Sequence, residues 1–525
     1  MKTRSFLLST LAVFIFAGCS SEDAREGNIP GGELDGKAYL SLSLQSHTAT
    51  SRAVDTKPGS SGESKAGTVK VLLFDEDDVC LDVVGFDGLT VGNSGGADAG
   101  GAGTPEAAVS EAKLVPEKTK KVFVVINPYA DGNKGWNLTA DAVKGKPWSV
   151  INTAIEAAIA NIATNDNFMM ASAGKGAGIE GALTGVTVHK PTAYTTDAIN
   201  QAKTDAQNSP EEISVDRLSA KVELAVKAPF TTKPDGATFA FSGWELSVTN
   251  KSVKLYSELI TYDNATNGAV YRRDKNYLKS EQPDLTSDME TNMDAAFNYL
   301  KNIDNDADLI PEVKRDKGTS CYCLENTMDA NAQQLGFTTK VVVKAQYTPN
   351  VLTPNSSYFS WKGNYYTLDQ LKEEYTKTGS GGLKTDLPIF LKKAKLVAGD
   401  ADQSTIDNFI TNLQASGLTA KTGIIGRFCA VRYYHESVCY YDVLIRHDQS
   451  VTDKMALGRY GVVRNNWYHL DLQSVSGPGT PWIPDPSDPD NPTPPDTDDD
   501  EADAYLSVKI TINPWTYWTQ GVDLH

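Results

Sequence analysis

Two stretches of the chain place residue types where they suit covalent chemistry. Near the start, Lys2 and Arg4 precede an apolar run over residues 6–16, and Ala17-Gly18-Cys19 follows. A basic start, an apolar run and small residues before a cysteine are typical of a secretory signal that ends in a lipobox. We therefore expect cleavage before Cys19 and lipidation of its thiol. Phe16 stands where Leu is usual, so an ordinary signal peptide with a cysteine nearby is the alternative.

The second stretch is a polar loop over residues 46–67, in which Arg52 precedes Ala53. Exposed loops of small polar residues are preferred sites of proteolysis. A trypsin-like protease would cut between Arg52 and Ala53, which would separate the lipidated end from the rest of the chain. Arg25 is a less favoured second cut site.

The remaining reactive residue types form no recognisable catalytic or metal-binding motif. The 6 histidines are scattered, without the H-E-x-x-H spacing of a zinc site. Residues 304–308 begin like a calcium loop, but Leu309 replaces the required glycine and Arg315 the required glutamate. We therefore predict no catalytic, cofactor-binding or metal-binding residues, and a protein that is not an enzyme.

Composition narrows the class further. The formal net charge of −18 argues against a nucleic-acid partner, since phosphate binding needs a basic surface. A length of 525 residues predicts two or more domains. Apart from Cys19 the chain has five cysteines, an odd number that does not suit a disulfide framework. Cys429 and Cys439 lie in neighbouring strand-like runs and are the pair that could approach each other.

Two short strands of similar pattern lie near the two ends of the chain. Both alternate apolar and polar residues with period two, which is typical of half-buried strands. Their apolar positions are Ala38, Leu40, Leu42 and Leu44 in the first strand, and Ala504, Leu506, Val508, Ile510 and Ile512 in the last. Both strands also contain the sequence Ala-Tyr-Leu-Ser, although chance similarity of two amphipathic strands is the better explanation of that match taken alone.

The sequence between these strands predicts a mainly β fold with short inserted helices. We predict strands at residues 69–74, 79–84, 121–126, 213–226, 238–241, 245–249, 338–347, 424–434, 438–445, 460–463 and 467–472. We predict helices at residues 150–164, 286–301, 368–375 and 404–415. This pattern favours two antiparallel β-sandwich domains in series.

A Pro/Asp-rich tether, residues 476–502, precedes the last strand. If it is extended at roughly 3.1 Å per residue, it reaches about 80 Å, which would let the strand contact another molecule. Four tryptophans lie before, within and after the tether: Trp467, Trp482, Trp515 and Trp518. They could form a glycan-binding platform, but core packing is the commoner use of tryptophan.

Taken together, these features resemble the type V fimbrillin family, the pilus subunits of Bacteroidia, and among them the stalk subunits of minor fimbriae. The resemblance is carried by the lipobox, both terminal strands, Arg52 and the tether, and by five body motifs. These motifs are residues 121–128, Arg217-Leu218-Ser219-Ala220-Lys221, residues 361–366, Val438-Cys439-Tyr440-Tyr441 and residues 460–466, and the turn Ser476-Gly477-Pro478-Gly479 follows them.

The resemblance implies a definite organisation. Residues 1–18 would be a lipoprotein signal peptide, and residues 19–52 a propeptide whose first strand is removed. Residues 53–226 and 227–475 would be two transthyretin-like β-sandwich domains, followed by the tether and a donor strand at residues 503–525. An Arg-specific protease would cut after Arg52, and the donor strand of a neighbouring copy would fill the exposed groove.

The implied partners are other copies of the chain, anchor and tip pilus subunits, the trypsin-like protease and host or bacterial surface ligands. The implied location is an outer-membrane lipoprotein precursor and then a cell-surface fimbrium. Two alternatives stay open. One is a tip or anchor subunit of the same kind of pilus. The other is a monomeric surface lipoprotein that binds glycan or host protein, with its last strand folded onto its own second domain.

Overall fold

The computed structural model describes residues 34–46, 57–86, 89–93, 108–131, 134–173, 179–261, 270–273, 289–302, 313, 315–328, 332–377, 381–448, 451–501 and 505–516. Strands dominate these residues and short helices lie between them, so the predicted mainly β fold class is confirmed. The division into two domains stays a prediction.

A sheet in the order β5-β4-β8-β14-β16-β2-β6, with β15 beside β8, forms the body of the N-terminal half. The strands of this half are β1 Lys37–Leu40, β2 Leu42–Ser46, β3 Lys57–Pro58, β4 Val69–Phe74, β5 Cys80–Gly85, β6 Val91–Asn93, β7 Lys113–Pro116, β8 Lys121–Ile126, β9 Ala130–Asp131, β10 Lys134–Gly135, β11 Ile155–Glu156, β12 Ala163–Thr164, β13 Asn167–Phe168, β14 Met170–Ser172, β15 Thr184–Gly185 and β16 Glu211–Arg217.

Both faces of this sheet are buried. Along β4, Val71 and Leu73 belong to one hydrophobic cluster, whereas Leu72 and Phe74 belong to another on the opposite face. Because successive side chains of a strand point to opposite faces, an uninterrupted apolar run is what a doubly covered strand requires. The run Lys121–Ile126 in β8 follows the same rule.

The C-terminal half is a sandwich of a sheet in the order β24-β17-β30-β31-β3 and a second sheet in the order β18-β25-β29. Its strands are β17 Ser219–Thr232, β18 Thr238–Ser247, β19 Thr249–Asn250, β20 Ser252–Val253, β21 Glu258–Thr261, β22 Val270–Arg273, β23 Phe297–Asn298, β24 Ser320–Leu324, β25 Lys340–Thr348, β26 Tyr358–Trp361, β27 Asn364–Tyr366, β28 Val431–Tyr434, β29 Val438–Leu444, β30 Asn466–Val475 and β31 Leu506–Thr516. Leu470, Trp244 and Val343 meet in the core between the two sheets.

The strand predicted at residues 213–226 connects the two halves. It is divided at Leu218, so that β16 ends in the N-terminal sheet and β17 begins in the C-terminal one. Leu218 is itself fully buried. Several pairings are parallel, including those of β2 with β16 and β6 and that of β17 with β30, so the sheets are mixed rather than wholly antiparallel.

An insert between β25 and β29 carries most of the helical turns of the C-terminal half. The helices of the described chain are α1 Ala140–Val143, α2 Trp148–Ile151, α3 Ile159–Ile162, α4 Thr196–Asn208, α5 Met289–Ala296, α6 Leu368–Thr376, α7 Leu383–Lys393, α8 Gln403–Asn412 and α9 Ala420–Ile425. Helices α6 to α9 and strands β26 to β28 enclose a separate hydrophobic core that includes Phe359, Leu387, Phe390 and Ile410. Side-chain caps fix two of these helix starts: the Thr367 side chain accepts a hydrogen bond from the Gln370 backbone N–H, and the Asp402 side chain accepts one from the Thr405 backbone N–H.

The helix predicted at residues 150–164 is wrong. Helix α2 ends at Ile151, because Asn152 leaves the helical region with φ −80° and ψ 53°. The Asn152 side chain instead bonds both backbone groups of Tyr256, at 2.9 and 3.0 Å. Residues Ile155–Glu156 then pair with Ser252–Val253, so tertiary contacts override the helical spacing.

Other predicted elements differ in detail. Part of the strand expected at residues 424–434 is helix α9, and only Val431–Tyr434 is a strand. The strand expected at residues 460–463 makes only isolated bridges, from Tyr460 to Arg446 and from Val462 to Asn326. The strand expected at residues 238–241 and most of that expected at residues 245–249 join into β18, with a bulge after Phe241, and β18 ends before Val248, whose φ is 58°. Helices α4 and α7 were not predicted.

Cys80, Cys321, Cys323, Cys429 and Cys439 are all free and buried. Burial raises the pKa of the Cys80 thiol to about 11. These thiols therefore stay protonated and pack as small apolar side chains.

The helical insert provides a test of where its stability resides. Phe390 is 0% exposed, whereas its neighbour Ile389 is 53% exposed. We expect Phe390→Ala to lower the free energy of unfolding by about 3–5 kcal/mol, because it leaves a cavity in the insert core. Ile389→Ala should change it by less than about 0.5 kcal/mol. Urea denaturation of both variants measures this, and equal effects would show that the insert core does not stabilise the fold.

Candidate functional site

The residues predicted for covalent processing, Cys19, Arg52 and Ala53, lie outside the described residues, as does Ala504 of the donor strand. Their roles stay predictions. The structure does describe most of both terminal strands, the start of the body after the predicted cut, and the tether. The candidate site is therefore the set of surfaces on which the two terminal strands lie.

The first terminal strand is interrupted at Ser41, so that β1 forms a two-stranded sheet with β7 and β2 belongs to the N-terminal sheet. Before Ser41, β1 pairs antiparallel with β7, with Ala38 opposite Val115. After Ser41, β2 lies between β16 and β6 and is parallel to both, with Leu44 opposite Ile213 on one side and Val91 on the other. The predicted single strand over residues 38–44 is thus two strand segments that contact different neighbours.

This strand is completely enclosed. Ala38, Leu40, Leu42 and Leu44 are each at most 1% exposed. The three leucines belong to the same hydrophobic cluster as residues of β4, β8 and β16. Its backbone is also bonded, since Ser110 N–H donates to the Leu42 carbonyl and Leu42 N–H donates to the Ser110 hydroxyl, both at 2.9 Å. Removal of this strand would leave an apolar groove with unpaired backbone on β16 and β6.

The last terminal strand, β31, lies on its own chain. It pairs antiparallel with β30, with Ile510 opposite Leu470 and Val508 opposite Leu472. Leu506 and Ile510 are each 8% exposed and join the core of the C-terminal sandwich. Ile512 lies opposite Tyr468 in the same ladder. The predicted donor strand is therefore closed onto its own C-terminal half.

The outer edge of β31 has little cover in the described part of the chain. Its one described partner there is β3, in which Lys57 and Pro58 lie opposite Trp515 and Thr516. The segment that follows the predicted cut site thus contacts the far end of the predicted donor strand. The structure brings together two features that the sequence places more than 450 residues apart.

A buried polar cluster fixes this segment between the two halves. The Lys221 ammonium lies 2.8 Å from the Glu63 carboxylate, and the two side chains are 9% and 3% exposed. The Tyr322 hydroxyl donates to the same carboxylate, and the Lys221 ammonium lies 3.8 Å from the centroid of the Trp467 ring. Burial by itself would raise the pKa of Glu63, but the hydrogen bonds from Lys221 and Tyr322 outweigh it and lower that pKa.

Two of the body motifs meet beside this cluster. Arg217 donates to the Glu63 carbonyl at 2.8 Å and to the Asn465 side-chain oxygen at 3.2 Å. Asn465 N–H in turn donates to the Ser219 carbonyl at 2.9 Å. Arg464 and Glu325 form a further buried ion pair at 3.1 Å. The motifs at residues 217–221 and 460–466 therefore hold the junction of the two sheets.

The tether differs from the free extended segment that its composition suggests. Its first turn packs against the sandwich, where Tyr441 and Tyr434 hydroxyls donate to the carbonyls of Gly477 and Gly479, each at 2.9 Å. A Cβ at Gly479 would lie 2.0 Å from the Tyr440 carbonyl oxygen, so the close approach requires glycine. Trp482 and Ile483 are then buried at 4% and 2% exposure.

The predicted tryptophan platform does not form from the residues whose side chains are described. Trp467 packs against Lys221 at the junction, whereas Trp482 stacks edge-on against Phe428 at 5.3 Å. These are two separate packing positions. The described residues also contain no group of three or more side chains that could hold a metal ion. None of the helices in these ranges has the length and hydropathy that crossing a bilayer requires.

Sequence reasoning missed Glu63 and also two arginines that form ion pairs with the tether, Arg427 with Asp488 at 2.6 Å and Arg459 with Asp500 at 2.7 Å. A signal for Glu63 was present, because Arg217 and Lys221 lie in a strand that must cross a core, and buried cations need acidic partners. The sequence did not indicate which of 67 acidic residues would supply the partner.

One family model matches the C-terminal part of the chain. Residues 432–521 match the family model of the fimbrillin C-terminal region, described as major fimbrial subunit protein type IV. The matched region contains β29, β30, the tether and β31, and over it the predicted resemblance to fimbrillins is confirmed. This region is therefore similar in sequence to the C-terminal region of fimbrial subunits. No curated protein sequence matches the chain.

Solved structures of low identity are also similar. One is a fimbrilin of Porphyromonas gingivalis, with 15% identity, a TM-score of 0.36, and coverage of 92% of this chain and 99% of that one. Another is the tip fimbrial protein Mfa3 of Porphyromonas gingivalis, with 11% identity, a TM-score of 0.32, and coverage of 91% and 100%. A protein of Parabacteroides distasonis, provisionally described as a cell adhesion protein, has 13% identity, a TM-score of 0.41, and coverage of 92% and 98%.

The junction cluster has a pH-dependent contribution that can be measured. Because the pKa of Glu63 is lowered, its pairing stabilises the fold above the ordinary value of 4.5 and is lost as the pH falls below it. We expect Glu63→Gln to cost about 3 kcal/mol at pH 7, since Lys221 loses its buried counter-ion, and to reduce the loss of stability in acid. Denaturant midpoints of Glu63→Gln at several pH values measure this. The exposed Glu76→Gln is the control, and matching midpoints for the two variants would contradict the assignment.

Proposed function

We propose that this protein is the stalk subunit of a fimbrium, joined to its neighbours by strand exchange. It is exported as a lipoprotein through Cys19, reaches the outer membrane, and is cut after Arg52 by a trypsin-like protease. The cut releases residues 19–52 with the first strand, and the C-terminal strand of another copy fills the vacated groove. The observation that carries the proposal is the complete burial of Leu40, Leu42 and Leu44 in a strand that lies before the predicted cut.

The energetics of that burial support cleavage as the controlling step. Three fully buried leucines contribute about 1.5–3 kcal/mol each, which gives on the order of 5–9 kcal/mol before the cost of ordering the strand. The covalent link adds to this, because a strand on the same chain needs no second molecule to bind. An uncut subunit therefore keeps its groove filled, and only a cut subunit can lose this strand to solution.

The C-terminal strand has the residues to replace it. Its apolar side chains at Leu506, Val508, Ile510 and Ile512 repeat with the same period as those of the first strand. Addition of a strand from another chain combines backbone hydrogen bonds with side-chain pockets at alternate positions. An empty groove beside β16 would in contrast expose an unpaired sheet edge, which folded proteins avoid. The fimbrillin match over residues 432–521 includes β31 and so supports a role in fimbriae.

One observation favours a second candidate function. Strand β31 is paired along its length with β30 of the same chain. A monomeric surface lipoprotein, with its last strand closed on its own sandwich and a glycan or host protein as ligand, would have this arrangement permanently. In the stalk proposal, the closed strand is the state before assembly, and it leaves β30 when a neighbour offers its groove. A tip or anchor subunit is less well supported, because the chain has both a cut site and a terminal strand. No described cluster of side chains supports an enzyme.

Limited proteolysis separates the two candidates. We expect trypsin to cut a chain that lacks residues 1–19 after Arg52 and to produce a ladder of oligomers on SDS gels run without boiling. Arg52→Ala should prevent the ladder, whereas Arg25→Ala should not. Deletion of the residues after Ala502 should also abolish it. A clean cut at Arg52 with only monomer would favour the surface lipoprotein.

The face of the donor strand can be tested with one pair of variants. Ile510 is 8% exposed, whereas Ser507 is an exposed residue of the same strand. Ile510→Lys should abolish the ladder after cleavage, because a charge would enter an apolar groove. Ser507→Lys should leave the ladder unchanged. Gel densitometry at equal extents of cleavage gives the comparison, and loss of the ladder in both variants would argue against a buried Ile510 face.

A further inference from the structure

The second half of the tether is attached to the body by buried carboxylates. Asp488, Asp499 and Asp500 are the three tether residues concerned, and together with their partners on the body we name them the acidic latch. The exposed fraction of residue Asp488 is 6% and that of Asp499 is 2%, whereas the Asp500 side chain is 4% exposed. Carboxylates are rarely buried to this degree unless each has a specific partner.

Asp488 binds a single arginine. Its carboxylate lies 2.6 Å from Arg427, and a second nitrogen of that guanidinium lies 3.3 Å from its other oxygen. Arg427 is fixed by a further hydrogen bond to the Ile424 carbonyl, at the end of helix α9. The pair therefore attaches the tether to the helical insert.

Asp500 is held by several donors at once. Arg459 lies 2.7 Å from its carboxylate and Arg446 lies 3.4 Å away, and the Tyr460 hydroxyl donates to it at 2.9 Å. The Met455 backbone N–H donates to the other oxygen at 2.8 Å. Burial by itself would raise the pKa of Asp500, but these hydrogen bonds outweigh it and lower that pKa.

Asp499 is the member without a cation of its own. It accepts a hydrogen bond from the Thr338 hydroxyl, and its other oxygen is buried with no partner in the described residues. The nearby Lys340 is paired with Asp442, 2.5 Å away, and Asp500 adds a second negative charge. Burial raises the pKa of Asp499 to about 7, against the favourable effects of Thr338 and Lys340.

Backbone contacts follow the same part of the tether. Gly336 and Leu335 N–H groups donate to the carbonyls of Pro495 and Thr497 at 2.8 and 3.1 Å, and Asp499 N–H donates to the Gln333 carbonyl at 3.1 Å. The tether therefore lies against the loop before β25 up to Asp500, and five residues separate Asp500 from the start of β31 at Leu506.

The latch controls how far β31 can move. With Asp500 held, the five residues that follow it extend at most about 17 Å, at about 3.4 Å per residue. The radius of gyration of a body of this size is about 23 Å. The strand cannot then reach a neighbouring subunit. With the three aspartates released, the residues between Ile483 and the strand are free, about 22 of them, and they extend to about 68 Å at about 3.1 Å per residue.

We propose that the acidic latch is a self-locking device, which keeps the C-terminal strand on its own sheet until Asp488, Asp499 and Asp500 leave their sites on the body. This inference rests on the proposed strand exchange for its biological meaning, whereas the docking itself can be measured in the monomer. The arginine-bound carboxylates give the latch its strength, and Asp499 makes it sensitive to pH.

The direction of the pH effect follows from the sign of each shift. A carboxyl whose pKa is raised on docking weakens the docked state as the pH rises from its ordinary 3.8 through about 7. Asp500, whose pKa is lowered, supports docking above its ordinary value and fails only in stronger acid. The latch is therefore tightest in mildly acidic solution and loosens toward neutral and basic pH.

Hydrogen exchange of the uncut monomer, followed by mass spectrometry, tests the latch directly. We expect Asp500→Asn to speed exchange of the amides in residues 495–510 about tenfold or more, because charge-assisted hydrogen bonds to Arg459 and Arg446 are lost. Asp496→Asn makes the same charge change at an exposed position of the tether and should have no effect. Amides of Val342 and Val343 in the core report whether the body stays folded.

A second variant tests the pH dependence. In the wild type, exchange of residues 495–510, corrected for the intrinsic rate, should accelerate between about pH 5 and pH 8. Asp499→Asn should remove this acceleration. The acidic latch is contradicted if residues 495–510 exchange equally slowly in Asp500→Asn and in the wild type. It is also contradicted if their exchange keeps its pH dependence in Asp499→Asn.

Cut subunits distinguish the latch from the function on which it rests. If Asp500→Asn speeds hydrogen exchange of the tether and cut subunits form the ladder faster, the acidic latch and strand exchange are both supported. If hydrogen exchange of the tether is faster but no cut subunit forms oligomers, the acidic latch is supported and strand exchange is contradicted. If oligomers form at the wild-type rate while exchange of the tether is unchanged, strand exchange stands and the latch is overturned.

Discussion

A strand in the middle of a sheet satisfies the backbone groups of two neighbours at once, and its removal leaves both unpaired. In this protein that position belongs to β2, which lies between β16 and β6. Its leucines also close a hydrophobic cluster shared with β4 and β8. Unpaired backbone in an apolar groove is strongly unfavourable, and another strand is the natural way to satisfy it. The N-terminal half therefore depends on some strand occupying this place, whichever chain supplies it.

The two terminal strands differ in burial and in strand pairing, since β2 is more buried than β31 and is paired along a larger share of its two edges. The two leucines of β2, Leu42 and Leu44, are 0% exposed, whereas Leu506 and Ile510 of β31 are each 8% exposed. Strand β2 has partners on both edges, whereas the outer edge of β31 meets only Lys57 and Pro58 among the described residues. A strand that moved from the place of β31 to that of β2 would gain a second ladder and more complete burial. Transfer between subunits would thus proceed from a weaker site to a stronger one.

Local patterns predicted a large part of this fold, and tertiary contacts decided the rest. Largely apolar runs such as Val69–Phe74 and Lys121–Ile126 were predicted with their observed bounds, because burial on both faces favours apolar residues at nearly every position. Residues 150–164 have helical spacing, but Asn152 bonds Tyr256, more than 100 residues away, and ends the helix. The terminal strands were recognised from period two alone. Their neighbours were not, since pairing partners depend on the whole sheet. The Glu63–Lys221 pair and the arginines that bind Asp488 and Asp500 were not predicted, because these partners also depend on the whole fold.

The tether shows how one composition can serve two states. Proline has no N–H, so a Pro/Asp-rich segment offers mainly carbonyls and carboxylates and cannot form a continuous ladder. The body supplies the matching hydrogen-bond donors. These are the backbone amides of Leu335 and Gly336 and the guanidinium groups of Arg427 and Arg459. Contacts of this kind hold the tether without making it a strand of either sheet. The part of the tether beyond Ile483 can leave without breaking a strand ladder, because hydrogen bonds and ion pairs hold it. The composition that predicts an extended, far-reaching tether is therefore equally suited to a docked one that can be released.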